Sequence, residues 1–302
     1  MHELILHHYE LSPFSEKIRR ILAFKDVPWR AVEQPVIAPK PELTPLTGGY
    51  RRIPVLQIGA DVYCDTALIA RRIEALHPQP ATLPAAQAGA IALIEDWADH
   101  RLFMHCVPPV VVDLIDALPQ GFLEDRAQMS PGFTREALTA GAPHALGQAL
   151  QALDRLNSQL QCSSYLLGEA FTLADAACYH PVRFMQNSPT LALHVEARPG
   201  LAAWCARIAG FGAGRVTPLT AAAALEIART AAPEDIAGAA LPDAPHARGQ
   251  MVEIVADDYG REKTTGRVER IRQDEVVVVR TDPALGEIAV HYPRAGYRIS
   301  AA

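Results

Sequence analysis

Apolar and polar positions in residues 1–79 switch between two periods. Leu4-Ile5-Leu6 is a short apolar run of the kind that forms a buried strand. Phe14, Ile18, Ile21, Leu22 and Phe24 then recur at helical spacing. Ser12-Pro13 ahead of them supplies the residue types of an N-cap and a first helical position. Trp29 to Glu33 reads as a second strand, so strand–helix–strand predicts a parallel pair joined by a right-handed crossover. After a stretch holding Pro35, Pro39, Pro41 and Pro45 comes Gly48-Gly49. Pro54-Val-Leu-Gln-Ile58 and Val62-Tyr-Cys64 then flank Gly59-Ala60-Asp61 and predict a hairpin. A helix from about Thr66 to Leu76 is ended by His77-Pro78. The order βαβ followed by ββα is that of a thioredoxin-like domain, assigned to residues 1–79.

Pro78, Pro80 and Pro84 mark a linker. Residues 85–230 are rich in Ala and Leu at helical spacing, with breaks expected at Pro108-Pro109 and across Pro119 to Pro131, which predicts an all-helical domain. Within it, Thr172-Leu-Ala-Asp175 has the pattern of a helix N-terminus whose carboxylate reaches back. Ala231 to Arg248 reads as a second linker. The period then changes to two. Met251–Val255, Gly266–Ile271, Glu275–Val279 and Glu287–His291 are short β-type runs, with turn residues at Asp257-Asp258-Tyr-Gly260 and Asp282 to Gly286. Residues 246–302 are therefore expected to form a small antiparallel sheet or barrel, and the fold class is α+β with three parts.

With 49% hydrophobic and 21% charged residues, the composition is that of a globular chain with a large core. A net charge of −6 speaks against nucleic acid or an anionic membrane surface as the main partner. The start does not read as a signal peptide, and the longest apolar stretch, Cys106 to Val112, is far shorter than the roughly 20 residues a membrane span needs. Five cysteines without a CxxC pair or a Cys/His cluster point to reduced thiols in a cytoplasmic protein without a metal site.

Four features carry candidate chemistry. Ser12-Pro-Phe14-Ser15 stands at a strand-to-helix turn, where free N–H groups and the helix dipole favour an anion such as a thiolate. Serine cannot supply the sulfur, but its hydroxyl can donate to a thiolate brought by a cosubstrate. Arg52-Ile53-Pro54-Val55 opens a strand. If the Ile53–Pro54 bond is cis, the backbone of Ile53 turns outward to pair with an extended peptide. Asp65-Thr66 at a helix start can hold an ammonium and a carboxylate together. Lys40, Arg51 and Arg52 can meet a second carboxylate. Such groups suit a short peptide with an amino-acid head, a central thiol and a terminal carboxylate, a description that glutathione meets. Read singly, Ser12 and Asp65-Thr66 are equally well explained as helix caps.

Residues 3–77 resemble the N-terminal domain of the glutathione transferases. Ser12-Pro-Phe14 is similar to the Ser-Pro-Phe motif of the serine-type, tau- and zeta-like classes. Arg52-Ile53-Pro54-Val55-Leu56 resembles their Lys-Ile-Pro-Val-Leu stretch, and Asp65-Thr66 falls where they carry Glu-Ser. Thr172 to Asp175 resembles the family's helix cap, and the likeness extends over residues 1–225.

The resemblance implies that Ser12 orients and ionises the glutathione sulfur beside Phe14. It implies that Ile53, ahead of Pro54, pairs with the cysteinyl backbone. Asp65 and Thr66 would hold the γ-glutamyl end, and Arg52 with Lys40 the glycyl carboxylate. It also implies a homodimer, a small hydrophobic electrophile as second substrate, and transferase activity. Two departures stand out: Asp65-Thr66 replaces Glu-Ser, and residues 246–302 have no place in the common two-domain form. They leave open a non-catalytic glutathione-binding or protein-interaction role on the same fold.

Overall fold

The computed structural model describes residues 3–234 and 241–302. The N-terminal part runs β1 (Leu4–His8), α1 (Pro13–Phe24), β2 (Trp29–Glu33), α2 (Thr44–Thr47), β3 (Val55–Ile58), β4 (Asp61–Cys64) and α3 (Thr66–Leu76). β1 pairs parallel with β2 and antiparallel with β3, and β3 with β4 form the hairpin, which is the thioredoxin-like arrangement. Ser12 caps α1, its Oγ accepting from the Ser15 N–H at 3.2 Å.

These strands are buried on both faces. Leu4, Leu6, Leu56, Ile58 and Tyr63 face α1, α3 and the helical domain. Val55, Val62 and Cys64 face the other way and pack with residues beyond position 250. Strands covered on both sides read as continuous apolar runs rather than alternating ones, as β1, β3 and β4 do.

The helical domain comprises α4 (Ala88–Asp96), a π-helical turn at Trp97–Leu102, α5 (Phe103–Asp113), α6 (Phe122–Met129), α7 (Arg135–Gln159), α8 (Leu173–Gln186), α9 (Pro189–Glu196) and α10 (Pro199–Ala209). Pro108-Pro109 does not break the chain as the sequence suggests: α5 continues through both prolines. Each proline removes one helical donor, and the carbonyls thus freed belong to Met104 and His105, neither of which is buried. The capping pattern at Thr172 forms: the Asp175 carboxylate accepts from the Thr172 N–H and hydroxyl, each at 2.9 Å. It also accepts from the Leu166 N–H at 2.8 Å and the Trp204 indole at 3.0 Å.

Residues 85–230 are not wholly helical. After α10, β5 (Val216–Pro218) returns to pair parallel with β2, and α11 (Ala221–Thr230) lies on the second face of the sheet, where Ala224 meets Ile5 and Val32. Residues 235–240 of the expected linker lie outside the described residues. Leu241 onward is anchored, its N–H donating to the Ile271 carbonyl at 2.9 Å.

The C-terminal strands are β6 (Met251–Ala256), β7 (Thr264–Ile271), β8 (Glu275–Asp282), β9 (Gly286–Pro293) and β10 (Tyr297–Ala301). They are antiparallel among themselves, as the alternation predicts. They do not form a separate sheet. β9 pairs parallel with β4 in the register Asp61↔Ala289 to Tyr63↔His291, giving one ten-stranded sheet of order β10-β6-β7-β8-β9-β4-β3-β1-β2-β5. At the junction the His291 ring stacks on Tyr63 at 4.1 Å and bonds Asp61 and Glu275 through its two nitrogens, each at 2.9 Å. Among the described residues no helix is long and apolar enough to cross a membrane.

Candidate functional site

A cavity of about 490 Å³ opens where α1, the loop into β3, and the start of α3 converge. That is within the size range, roughly 300–1,000 Å³, of small-molecule sites. Phe14, Arg52, Ile53, Pro54, Asp65 and Thr66 line it together. The Ile53–Pro54 peptide bond is cis. Asp65 caps α3, its Oδ1 accepting from the Ala67 N–H at 2.9 Å. Its backbone sits at φ +74°, a region side-chain-bearing residues rarely adopt. Burial raises the pKa of the Asp65 carboxyl.

Two expected site residues lie elsewhere. Ser12 is buried and borders a second cavity of about 380 Å³, together with Glu16, Arg20, Arg183 and His180. Phe14, two residues on, lines the first cavity, its ring packed on Phe103 at 4.8 Å and on His180 at 4.6 Å. Lys40 is buried away from both, with its Nζ donating to the Pro35 carbonyl and standing 5.9 Å from the Tyr9 ring centre. Burial, with Arg126 and Arg51 nearby, lowers its pKa to about 8. Arg52 lines the cavity, yet its guanidinium is held by the Asp258 carboxylate and the Tyr259 carbonyl and lies over the Tyr259 ring at 4.0 Å.

Sequence reasoning missed the charged group beneath the cavity floor. Lys17 is fully buried, and its ammonium donates to Glu95 at 2.8 Å, Asp99 at 2.5 Å and the Thr66 hydroxyl at 3.2 Å. Asp99 also accepts from His180 Nε2 at 2.9 Å, and Arg71 reaches Glu95 at 2.8 Å. Burial raises the Asp99 pKa, but Lys17 and His180 outweigh it and hold it at about 2. Burial lowers the pKa of His180 against the pull of Asp99; its Nδ1 has no hydrogen-bond partner in the protein. A signal for Lys17 existed: it stands three residues after Phe14 and four before Ile21, inside the apolar stripe of α1. Asp99 offered none, because it sits in the π-helical turn, a feature often found at functional sites that composition does not mark.

The far wall of the cavity is also new. Asp257, Asp258, Tyr259, Pro293, Gly296 and Tyr297, all from the C-terminal strands and their turns, face the α3 start.

The four buried thiols are poor nucleophiles. Burial raises the pKa values of Cys64, Cys106, Cys178 and Cys205. Among the described residues no cluster of three or more His, Cys, Asp or Glu side chains could hold a metal ion.

Comparison with known proteins agrees with this layout. Residues 6–81 match the glutathione S-transferase N-terminal domain and residues 112–207 its C-terminal domain. A GST-like protein from Pseudomonas syringae is similar in structure over 100% of both chains, with 37% identity and a TM-score of 0.85. A glutathione S-transferase from Rhodospirillum rubrum matches 70% of this chain and 90% of its own, with 20% identity and a TM-score of 0.57. The β-etherase LigF from a Sphingobium species matches 70% of this chain and 96% of its own, with 20% identity and a TM-score of 0.54. These last two are similar in fold alone. No curated protein matches the chain.

Proposed function

The chain belongs to the glutathione S-transferase family, and from that premise we propose that it binds glutathione in the larger cavity and activates its thiol for attack on a small electrophile. The observation that carries this reading is the meeting of Ile53, Asp65 and Thr66 in one cavity beside Phe14. The backbone of Ile53 pairs with the cysteinyl unit. Asp65 receives the γ-glutamyl ammonium, and the Thr66 hydroxyl with the α3 N–H groups receives its carboxylate. The Thr66 hydroxyl accepts from Lys17, so its own proton is free to donate. Ser12 donates to the sulfur from the end of α1, and the cavity beside Ser12 takes the electrophile. The thiolate comes from glutathione, since the buried cysteines are held protonated. By the same family premise the protein acts in the cytoplasm as a homodimer, which light scattering would test.

Ultraviolet difference absorbance of added glutathione, titrated with pH, tests the reading. A thiolate band well below the pKa of the free thiol is expected. Its absence, with binding seen by calorimetry on the same sample, would replace catalysis by glutathione binding alone. One observation favours that second reading: the Ser12 Oγ already serves as a helix cap and borders the other cavity.

A further inference from the structure

We propose that the C-terminal strands complete the amino-acid end of the glutathione site, with Tyr297 acting as a positioning residue for Asp65. This deepens the glutathione reading and rests on it. Residues 251–302 lie beyond both matched family segments, which end at 81 and 207. They nevertheless hold the cavity at two points. At the first, Asp258 and Tyr259 grip Arg52, the residue before Ile53. At the second, the Tyr297 hydroxyl donates to Asp65 Oδ2 at 3.1 Å.

The second contact bears on ligand chemistry. Tyr297 is 8% exposed and wedged against Tyr50 and Tyr292, with ring centres 6.4 and 5.2 Å away. Burial raises its pKa, so the phenol stays a donor at any working pH. A carboxylate has about four acceptor positions. On Asp65 one is taken by the Ala67 N–H and one by Tyr297, which leaves two for a ligand ammonium. Asp65 also holds a backbone conformation of positive φ, and such strain persists only where the surroundings over-determine it. Tyr297 and Ala67 together fix that carboxylate in one orientation. The aspartate that replaces the longer glutamate of the resembling classes is thus held from behind by a tyrosine of the same chain.

Calorimetry with glutathione and with cysteinylglycine, which lacks the γ-glutamyl unit, tests this on the full chain. Wild type should prefer glutathione. Tyr297→Phe, whose fold is checked by near-ultraviolet circular dichroism, should weaken glutathione roughly 10- to 150-fold, the size of one hydrogen bond to a charged group. It should leave cysteinylglycine unchanged. The pH at which glutathione binding is lost should move up in the variant, because the phenol favours the ionised carboxylate. Equal weakening of both ligands, or of neither, would overturn the role of Tyr297 while leaving glutathione binding intact. Failure of wild type to bind glutathione would overturn the site itself and this role with it.

Discussion

His291 of β9 meets Asp61 of β4 across 2.9 Å, and this contact joins the C-terminal strands to the thioredoxin-like sheet through a buried ion pair. Glu275 takes the other ring nitrogen, and the Asp61 carboxylate also accepts from the Glu234 N–H at 2.8 Å. Burial opposes the charge on His291, but the two carboxylates prevail and raise its pKa. A raised histidine stabilises the fold fully below its unfolded value of about 6.5, and that stability is lost as pH rises through the folded value. Glu275 is lowered, so its contribution is present above about 4.5 and fades as pH falls. His291→Gln should therefore cost on the order of 3 kcal/mol near pH 6, since a buried pair broken on one side leaves a charge uncompensated. The deficit should shrink on the alkaline side. Denaturant unfolding of both proteins across pH measures it, and a pH-independent deficit would contradict the ion pair.

Lys17→Met should be more damaging than its surface-type residue suggests. The substitution keeps the stem's volume in α1 but leaves Glu95 and Asp99 facing each other without their shared cation. A loss of about 3–5 kcal/mol is expected in urea unfolding. The Asp99 pKa should rise from about 2, making the variant relatively less unstable in acid than at neutral pH.

Ser12→Ala should lower the rate of glutathione conjugation about 100-fold or more, the cost of losing one donor to an anion. It should also lose about 1 kcal/mol as a helix cap, because Oγ accepts from Ser15 N–H. Ser12→Asp separates the two effects: it restores the cap and places a negative charge beside the thiolate. Full thermal stability without activity in Ser12→Asp is the expected outcome. Activity retained in both variants would remove Ser12 from the mechanism.

Much of this layout was legible because periodicity and capping are local. Ser12-Pro13, the hairpin about Gly59-Ala60-Asp61, and the Thr172–Asp175 cap each announce themselves within a few residues. The destination of the C-terminal strands was not local. Yet Val55, Val62 and Cys64 carried a hint: their side of the hairpin is as apolar as the side facing the helices, and α11, which covers Ile5 and Val32, brings Leu225 and Ala228 to it. Something had to cover the rest. What no pattern disclosed was which residues the pairing of β9 with β4 brings together. Tyr297 is separated from Asp65 by 232 positions, and Asp258 from Arg52 by 206. Lys40 misled for a different reason: it stands near the matching motif, but its ammonium donates to the Pro35 carbonyl.

Asp65 makes glutathione affinity depend on pH in a direction that can be worked out. Burial raises its carboxyl pKa. To pair with the ligand ammonium it must be ionised, so binding should weaken as pH falls through that raised value. Weakening should thus begin at a higher pH than an ordinary exposed aspartate would dictate. An ammonium bound beside it favours the charged form, so binding on the acidic side should release a proton. Calorimetry in buffers of different ionisation enthalpy counts that proton directly. Asp65→Asn keeps an acceptor for the Ala67 N–H but cannot ionise, so it should bind glutathione more weakly, with a flat acid limb and no proton release. A wild-type profile as flat as that of the variant would show that the ammonium is held elsewhere.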